Sequence, residues 1–504
     1  MSPTDLATQA RSGALWAVLH GGAKHGMDLL VFLMLARWLS PQAFGLMALV
    51  STVLVVVVML AELGLAEALV QRQRLAGVTV DTAFWLLLGV GVVLAAGLAA
   101  VAWPLAHLYE QAALAPLVWA LCPLVIVVSL NAVPQALMQR AMRFRPLALR
   151  GMAGTLAGGI AGVTLALAGA DVWSLAGQQL VAALVGLALL WRQTEWRPRW
   201  RFSPAAARRL TGFGRHVLMT RCVNVVASKV DDAVVGWALG PAALGAYAVA
   251  GRLRLALEQL FCQGIDALAL SAFSRLASQR AALGQAYLGA TRTALTLALP
   301  VFASAIWLAP VVLPALIGDQ WAPAMAPLQV LLAAGLLQAI LHFNHAVFRA
   351  VGQPQRSWHM GLASLLLNGC LVVVAVRWGV LAVAWAYLLR VALIGPWGAV
   401  LACRELAVGG REVWRALAPP LAVAAVALGL AAVLWQVLQA PWLAGSGLSP
   451  AVSAGLAWGP AALLYGGWLW LRSPALAGFR RRPVAGGSRS RKWAPGASRV
   501  SRPA

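Results

Sequence analysis

The stretch Leu39-Ser40-Pro41-Gln42-Ala43-Phe44-Gly45-Leu46-Met47-Ala48 returns two hundred residues later as Leu239-Gly240-Pro241-Ala242-Ala243-Leu244-Gly245-Ala246-Tyr247-Ala248. Leu, Pro, Ala, Gly and Ala recur in identical register, and each copy ends one apolar run and opens the next. Weaker echoes follow in the same order: Pro104 with Pro314, Pro116 with Pro327, and Arg140-Ala141 with Arg349-Ala350. The offset drifts from 200 to about 210, as a duplication followed by small insertions produces. Six apolar runs separate one copy from the other. Six is even, so the halves share one orientation across a bilayer: parallel repeats related by an axis along the membrane normal.

Of the 504 residues, 61% are hydrophobic and only 11% charged, with a mean hydropathy of +0.80. Soluble domains carry about a quarter charged residues, so the composition is that of an integral membrane protein. No long polar region remains for a large soluble domain. Apolar runs bounded by Gly, Pro or charge number about fourteen, each near the ~20 residues that cross a bilayer as a helix. The predicted fold class is an all-α polytopic membrane protein with two pseudo-symmetric six-helix lobes and two further helices. The lobes cover 1–191 and 213–402, joined by a connector at 192–212; the extra helices fall within 403–471. A basic tail, 472–504, is predicted to be disordered.

The net charge of +24 is distributed as topology rather than as a nucleic-acid footprint. One alternate set of connectors holds Arg72 and Arg74, Arg140, Arg143 and Arg145, six arginines across 192–212, Arg275 and Arg280, Arg349 and Arg356, and Arg404 and Arg411. The other set holds Arg37 and Arg377, and otherwise His107, Glu110, Asp171 and Asp319. By the positive-inside rule the first set is cytoplasmic, as are both termini. No nucleic-acid partner is expected. The five cysteines are scattered without metal-ligand spacing, and no cofactor or metal is expected.

Charges inside apolar runs are costly, about 2.5–3.5 kcal/mol on insertion scales, and normally face a cavity or a partner. They concentrate in the runs flanking the repeated connector. Lys24 and Asp28 follow His20 at helical spacing on one face of the first run. The seventh carries Arg221, Asn224, Ser228, Lys229, Asp231 and Asp232, and the eighth Arg252, Arg254, Glu258 and Asp266. Lys24, Asp28, Arg221, Asn224, Lys229, Asp232, Arg254 and Glu258 are the candidate cavity lining. Glu62, Asp231 and Asp266 are candidates for binding coupling protons or cations. Pro41, Gly45, Pro241 and Gly245 are candidate hinge positions. A plainer reading stands beside this: Lys24/Asp28 and Arg254/Glu258 are i,i+4 pairs that neutralise each other, and Arg252 snorkels to an interface. No Walker loop, nucleophile elbow or metalloprotease motif occurs, so no enzymatic chemistry is expected. Glycines 154, 158, 159 and 162 read as a helix-packing stripe.

Ala36-Arg37-Trp38-Leu39-Ser40-Pro41-Gln42-Ala43-Phe44-Gly45-Leu46, Glu62-Leu63-Gly64-Leu65 and Met142-Arg143-Phe144-Arg145 resemble polysaccharide exporters of the Wzx/WzxC type. These are lipid-linked oligosaccharide flippases of the multidrug/oligosaccharidyl-lipid/polysaccharide superfamily. Val172-Trp173-Ser174-Leu175 and Asp232-Ala233-Val234-Val235-Gly236 extend the likeness, which covers about residues 10–405. One departure is the lack of a proline near Leu270-Ser271-Ala272-Phe273-Ser274, where the resemblance implies one and with it a bend in the eighth span. The resemblance implies a V of two six-helix lobes in a bacterial inner membrane. It also implies alternating access and outward movement of an undecaprenyl-diphosphate-linked oligosaccharide. The basic cavity residues of such proteins carry over only by charge and span, to Lys24, Arg221, Lys229 and Arg254. Membrane lipids, a polysaccharide polymerase and a chain-length regulator are the further partners it suggests. Two alternatives remain: a cation-coupled multidrug antiporter of the same fold, which needs an acidic cavity, and a membrane polymerase or ligase, which needs a long outward loop.

Overall fold

The computed structural model describes residues 24–71, 75–276, 279–438 and 450–472. The expected basic tail beyond 472, and His20, lie outside them. Among the described residues every regular element is a helix. In chain order these are α1 (24–38), α2 (Pro41–Glu62), α3 (Leu65–Gln71), α4 (Gly77–Leu108), α5 (Leu114–Arg140), α6 (Phe144–Leu167) and α7 (Val172–Gln193). There follow α8 (Pro204–Arg275), α9 (Arg280–Ile317), α10 (Ala322–Leu341), α11 (Asn344–Ala350), α12 (Pro354–Ala375), α13 (Val380–Glu405), α14 (Gly410–Leu438) and α15 (Pro450–Arg472). Ten helical segments among the described residues are long and apolar enough to cross a membrane. This is an all-α, multi-pass membrane protein, and its helix order is consistent with about fourteen crossings.

Local sequence explains the breaks. Ser40 caps α2, its Oγ accepting from the Ala43 N–H at 3.1 Å, with Pro41 in the first turn where its missing donor costs nothing. Leu63 and Gly64, both left-handed at φ 49° and 63°, stop α2 and turn the chain into α3. In the second copy of the connector, Gly240 takes φ 81° and ψ 176°, a region open only to glycine, and folds the 72-residue α8 into two arms. Among the described residues Gly240 is the one non-helical position within α8, and the arm after it runs as helix through Leu270–Ser274. The 192–212 connector is extended only over 194–203, between the end of α7 and the start of α8.

The packing has a polarity. At the arginine-poor end a single buried cluster joins both halves, with Phe44, Leu49 and Leu117 from the first and Leu244, Tyr247 and Trp321 from the second. At the arginine-rich end each half has its own cluster. One holds Leu65, Phe84 and Val133; the other holds Phe273, Phe343 and Met360. The halves are therefore fused at one end and separate at the other. Within the first half, α6 and α7 approach through the glycine stripe: a Cβ on Gly158 would stand 2.5 Å from the Gln178 carbonyl oxygen, and one on Gly154 2.9 Å from that of Ala182. With no water to expel from lipid, close van der Waals packing of this kind holds membrane helices together.

Candidate functional site

The two copies of the connector pack on each other at the fused end. A Cβ added to Gly45 would land on the Pro241 carbonyl, and one added to Gly245 would land on the Pro41 carbonyl, 3.0 Å from the Gly45 nitrogen. The contact is reciprocal, as a duplicated element meeting its own copy across a pseudo-two-fold axis must be. Beside it, each half caps a helix of the other. The last carbonyls of α1 have no intrahelical donors. Ala36 O accepts from Gln320 Nε2 at 3.0 Å and from Trp321 Nε1 at 2.7 Å, and Leu39 O from Gln320 Nε2 at 3.1 Å. In return Arg37 Nη1 donates to Ala315 O and Leu316 O, in the last turn of α9, at 3.4 and 3.3 Å. Trp321 is fully buried, edge-on to Phe44 with centroids 5.3 Å apart.

Below this closure lies a cavity of about 1470 Å³ between the halves. Its walls come from α1, α2 and α7 on one side and from both arms of α8, α10, α11, α12 and α13 on the other. It reaches exposed His345, Arg349, Gln355 and Trp358 at the arginine-rich end, where the halves part.

Six sequence-predicted residues line this space: Asp28, Lys229, Asp231, Asp232, Arg254 and Glu258. Lys24 stands behind Asp28, its Nζ 2.8 Å from Oδ2, while Thr155 Oγ1 donates to the other carboxylate oxygen at 3.0 Å. Lys229 Nζ lies 2.6 Å from Asp232 Oδ2, and Arg254 Nη1 donates to Glu258 Oε2 at 2.6 Å. The neutralising pairs are thus present, and they border an open space instead of filling it. Asp231 is buried; its Oδ2 accepts from the Tyr247 hydroxyl at 2.8 Å. Glu62 is the last residue of α2 and does not line the cavity. Pro41, Gly45, Pro241 and Gly245 form the closure above it. Arg221, Asn224 and Asp266 fall on α8 with their side chains outside the described residues.

Three lining cations make no salt bridge among the described residues, although Asp28 lies within electrostatic reach of Arg252 and Asp231 of Arg390; sequence reading sets Arg252 among the charges of the eighth run and does not assign Arg349 or Arg390 to the cavity. Arg252 lines the cavity, its guanidinium carbon 4.8 Å from the Phe32 ring centroid. Arg349 marks the open end. Arg390 projects from mid-α13 and donates to Ser364 Oγ at 2.7 Å. Arg390 and Arg254 also flank one ring, their guanidinium carbons 4.4 and 5.1 Å from the centroid of Tyr387. Both Nε–H groups are buried without an acceptor in the structure. Two guanidinium groups sharing one ring, one ion-paired to Glu258 and both within electrostatic reach of Asp231, keep two idle donors and suit a multiply charged anion with several acceptor oxygens. Gln178, Gln179, Gln338 and Asn344 add amides to the same walls.

Comparison with known proteins places this architecture. A family profile described as Polysaccharide biosynthesis protein matches residues 34–326, more than half of the chain. The chain belongs to the polysaccharide biosynthesis protein family. Among relatives of this family member, the succinoglycan biosynthesis transport protein ExoT of Rhizobium meliloti is 31% identical over 67% of this chain and 68% of its own. The teichuronic acid biosynthesis protein TuaB of Bacillus subtilis is 24% identical over 67% of this chain and 71% of its own. The lipopolysaccharide biosynthesis protein WzxC of Escherichia coli is 23% identical over 67% and 69%. By fold, the family member matches the inward closed lipid II flippase MurJ at TM-score 0.72, covering 90% of this chain and 98% of that one at 11% identity. An inward-facing multidrug transporter of the MATE family matches at 0.61 over 78% and 100%, at 15% identity. This polysaccharide biosynthesis protein is a multi-pass membrane protein, and one of its relatives, ExoT, is named as a transport protein.

Proposed function

We propose that this protein is a flippase that carries an undecaprenyl-diphosphate-linked oligosaccharide from the cytoplasmic to the periplasmic leaflet of a bacterial inner membrane. The observation that carries the reading is the Arg254–Tyr387–Arg390 group in a cavity closed at one end and open at the other. Arginine alternation supports a cytoplasmic open end and cytoplasmic termini. Diphosphate and sugars enter the cleft from that side, while the polyprenyl chain stays in lipid. In a partly dry cavity each guanidinium attracts phosphate more strongly than in bulk water. The relatives are named for three different polymers, so the arginine group is assigned to the diphosphate and the amide-lined walls to the sugars.

Transport then requires the Gly45/Gly245 closure to open as the halves come together at the other end, which is alternating access. Lys24, Asp28, Lys229 and Asp232 keep the walls hydrated, and Asp231 is the carboxylate placed to exchange a proton with the cavity. A negative headgroup moving outward also runs down the membrane potential, worth ~2.3 kcal/mol per charge per 100 mV, without nucleotide hydrolysis. A cationic-drug antiporter fits less well, because lysine and arginine side chains outnumber carboxylates in the cavity lining. Such a flippase hands its cargo to a periplasmic polymerase and chain-length regulator. The test is deletion followed by leaflet-resolved analysis of lipid-linked sugars: the oligosaccharide accumulates facing the cytoplasm. Unchanged distribution between leaflets would reject the proposal.

A further inference from the structure

The extended segment 194–203 is the one covalent bridge between the halves, and it is strapped to the start of α4. Arg199 N donates to Asp81 Oδ1 at 3.3 Å, Ser203 N to Thr82 Oγ1 at 3.0 Å, and Trp85 Nε1 to Arg199 O at 2.9 Å. Its sequence, Trp196-Arg197-Pro198-Arg199-Trp200-Arg201-Phe202, alternates arginine with apolar residues. In extended backbone that period sends the two classes to opposite sides. Trp196 meets Phe84 edge-on at 5.6 Å, and Trp200 stacks on Trp85 with centroids 4.0 Å apart. Yet Trp200 is 88% exposed and Phe202 55%. Arg197 folds back over Trp191 and onto the Trp196 carbonyl. The side chains of Arg199 and Arg201 are exposed and meet no carboxylate among the described residues; nearby Glu195 pairs with Arg143 at 3.4 Å.

The depth of this strap follows from α4. Trp85 and Trp103 lie eighteen residues apart on that helix, ~27 Å along its axis, close to the ~30 Å of bilayer hydrocarbon. Trp103, exposed and edge-on to Trp119 at 6.1 Å, marks one interfacial belt, so Trp85 and the Trp200 stacked on it mark the other. Aromatic rings at headgroup depth, backed by exposed arginines on the positive side of the membrane, match one surface chemically: a leaflet of phosphodiester anions.

We infer that residues 196–202 form a binding strap for anionic phospholipid headgroups, with Trp200 and Phe202 seated at the acyl boundary and Arg199 and Arg201 on phosphates. The strap fixes the first half at a set depth in the leaflet, so that opening and closing is motion of the second half against it. The inference rests on the cytoplasmic assignment of the arginine-rich end, and not on the identity of the transported sugar.

The full-length protein carrying p-benzoylphenylalanine in place of Phe202 is placed in nanodiscs of phosphatidylcholine with a minor fraction of phosphatidylglycerol and irradiated. The adducts are then weighed by mass spectrometry. Phosphatidylglycerol adducts are expected well above its share of the bilayer. Arg199→Gln with Arg201→Gln should remove that enrichment, roughly fivefold per arginine at the usual attraction of a basic residue to an anionic surface. The double Lys variant should keep most of it. Both positions are exposed, so thermal melting should match the parent. Adducts in proportion to bulk lipid, enrichment that survives loss of both arginines, or crosslinks to a copurifying protein instead of lipid would each overturn the inference. Symmetric nanodiscs make the result independent of sidedness and of transport, so labelling a cysteine at 200 in intact cells tests the cytoplasmic assignment separately.

Discussion

Arg390 is the sole charged residue between Arg377 and Arg404, half-buried in the middle of an apolar helix, and by the cost of intramembrane charge it announces a function. Reading the repeat drew attention instead to the runs beside the connector, where Lys24, Lys229 and Arg254 proved to be ion-paired. What sequence spacing could not supply was the partner across space: Tyr387 under Arg254 is a contact between helices, not along one. Arg390→Gln keeps a donor for Ser364 but loses the charge. It should lower transport of lipid-linked oligosaccharide in proteoliposomes at least tenfold, and Arg390→Lys should recover only part, since an ammonium lacks the planar fork. Equal rates for all three would remove Arg390 from the substrate path. Asp231→Asn fixes that carboxyl in its neutral form while leaving the Tyr247 contact possible. Transport by this variant should no longer respond to an imposed pH gradient; a preserved response would assign proton exchange elsewhere.

At the scale of elements the duplicated connector shows one packing outcome reached by two backbone routes. In the first copy Ser40 keeps ordinary extended angles, φ −73° and ψ 156°, and caps the next helix with its hydroxyl. In the second, Gly240 stands in a glycine-only region and supplies no cap. Swapping them should therefore be unequal. Ser40→Gly loses a cap for which glycine is nearly as good, a few tenths of a kcal/mol, whereas Gly240→Ser forces a side chain into a conformation that costs about 1–3 kcal/mol. Thermal unfolding in detergent checks this, and equal destabilisation would contradict it. The alternation of arginines and the glycine stripe of α6 were legible because helix order and close packing are written locally. The fold-back of 194–203 onto α4 was not legible, because its ties run from backbone donors to Asp81 and Thr82, more than a hundred residues earlier.

For the molecule as a whole, the proposed alternating access requires a closure strong enough to hold and weak enough to break. The trans-capping bonds meet both needs. Carbonyls at the ends of α1 and α9 accept from Gln320, Trp321 and Arg37 only because a helix end leaves them without donors, and water can take the same places once the halves part. Each such exchange costs about 0.5–1.5 kcal/mol net, so the set amounts to a few kcal/mol, a bias that substrate or membrane potential can reverse. The apolar part, Trp321 on Phe44 and glycine on proline carbonyl, sets the position of the contact but adds no polar barrier. Removing Gln320 and Arg37 together, each as Ala, should thus shift the resting population toward the periplasm-open form. On a background without the five native cysteines, a cysteine replacing buried Leu39 reports the shift. A membrane-impermeant maleimide added outside should label it ten or more times faster in the double variant than in its parent. If the rates agree, the halves are held by the apolar contact alone, and the glycines, not the caps, set the balance between the two faces.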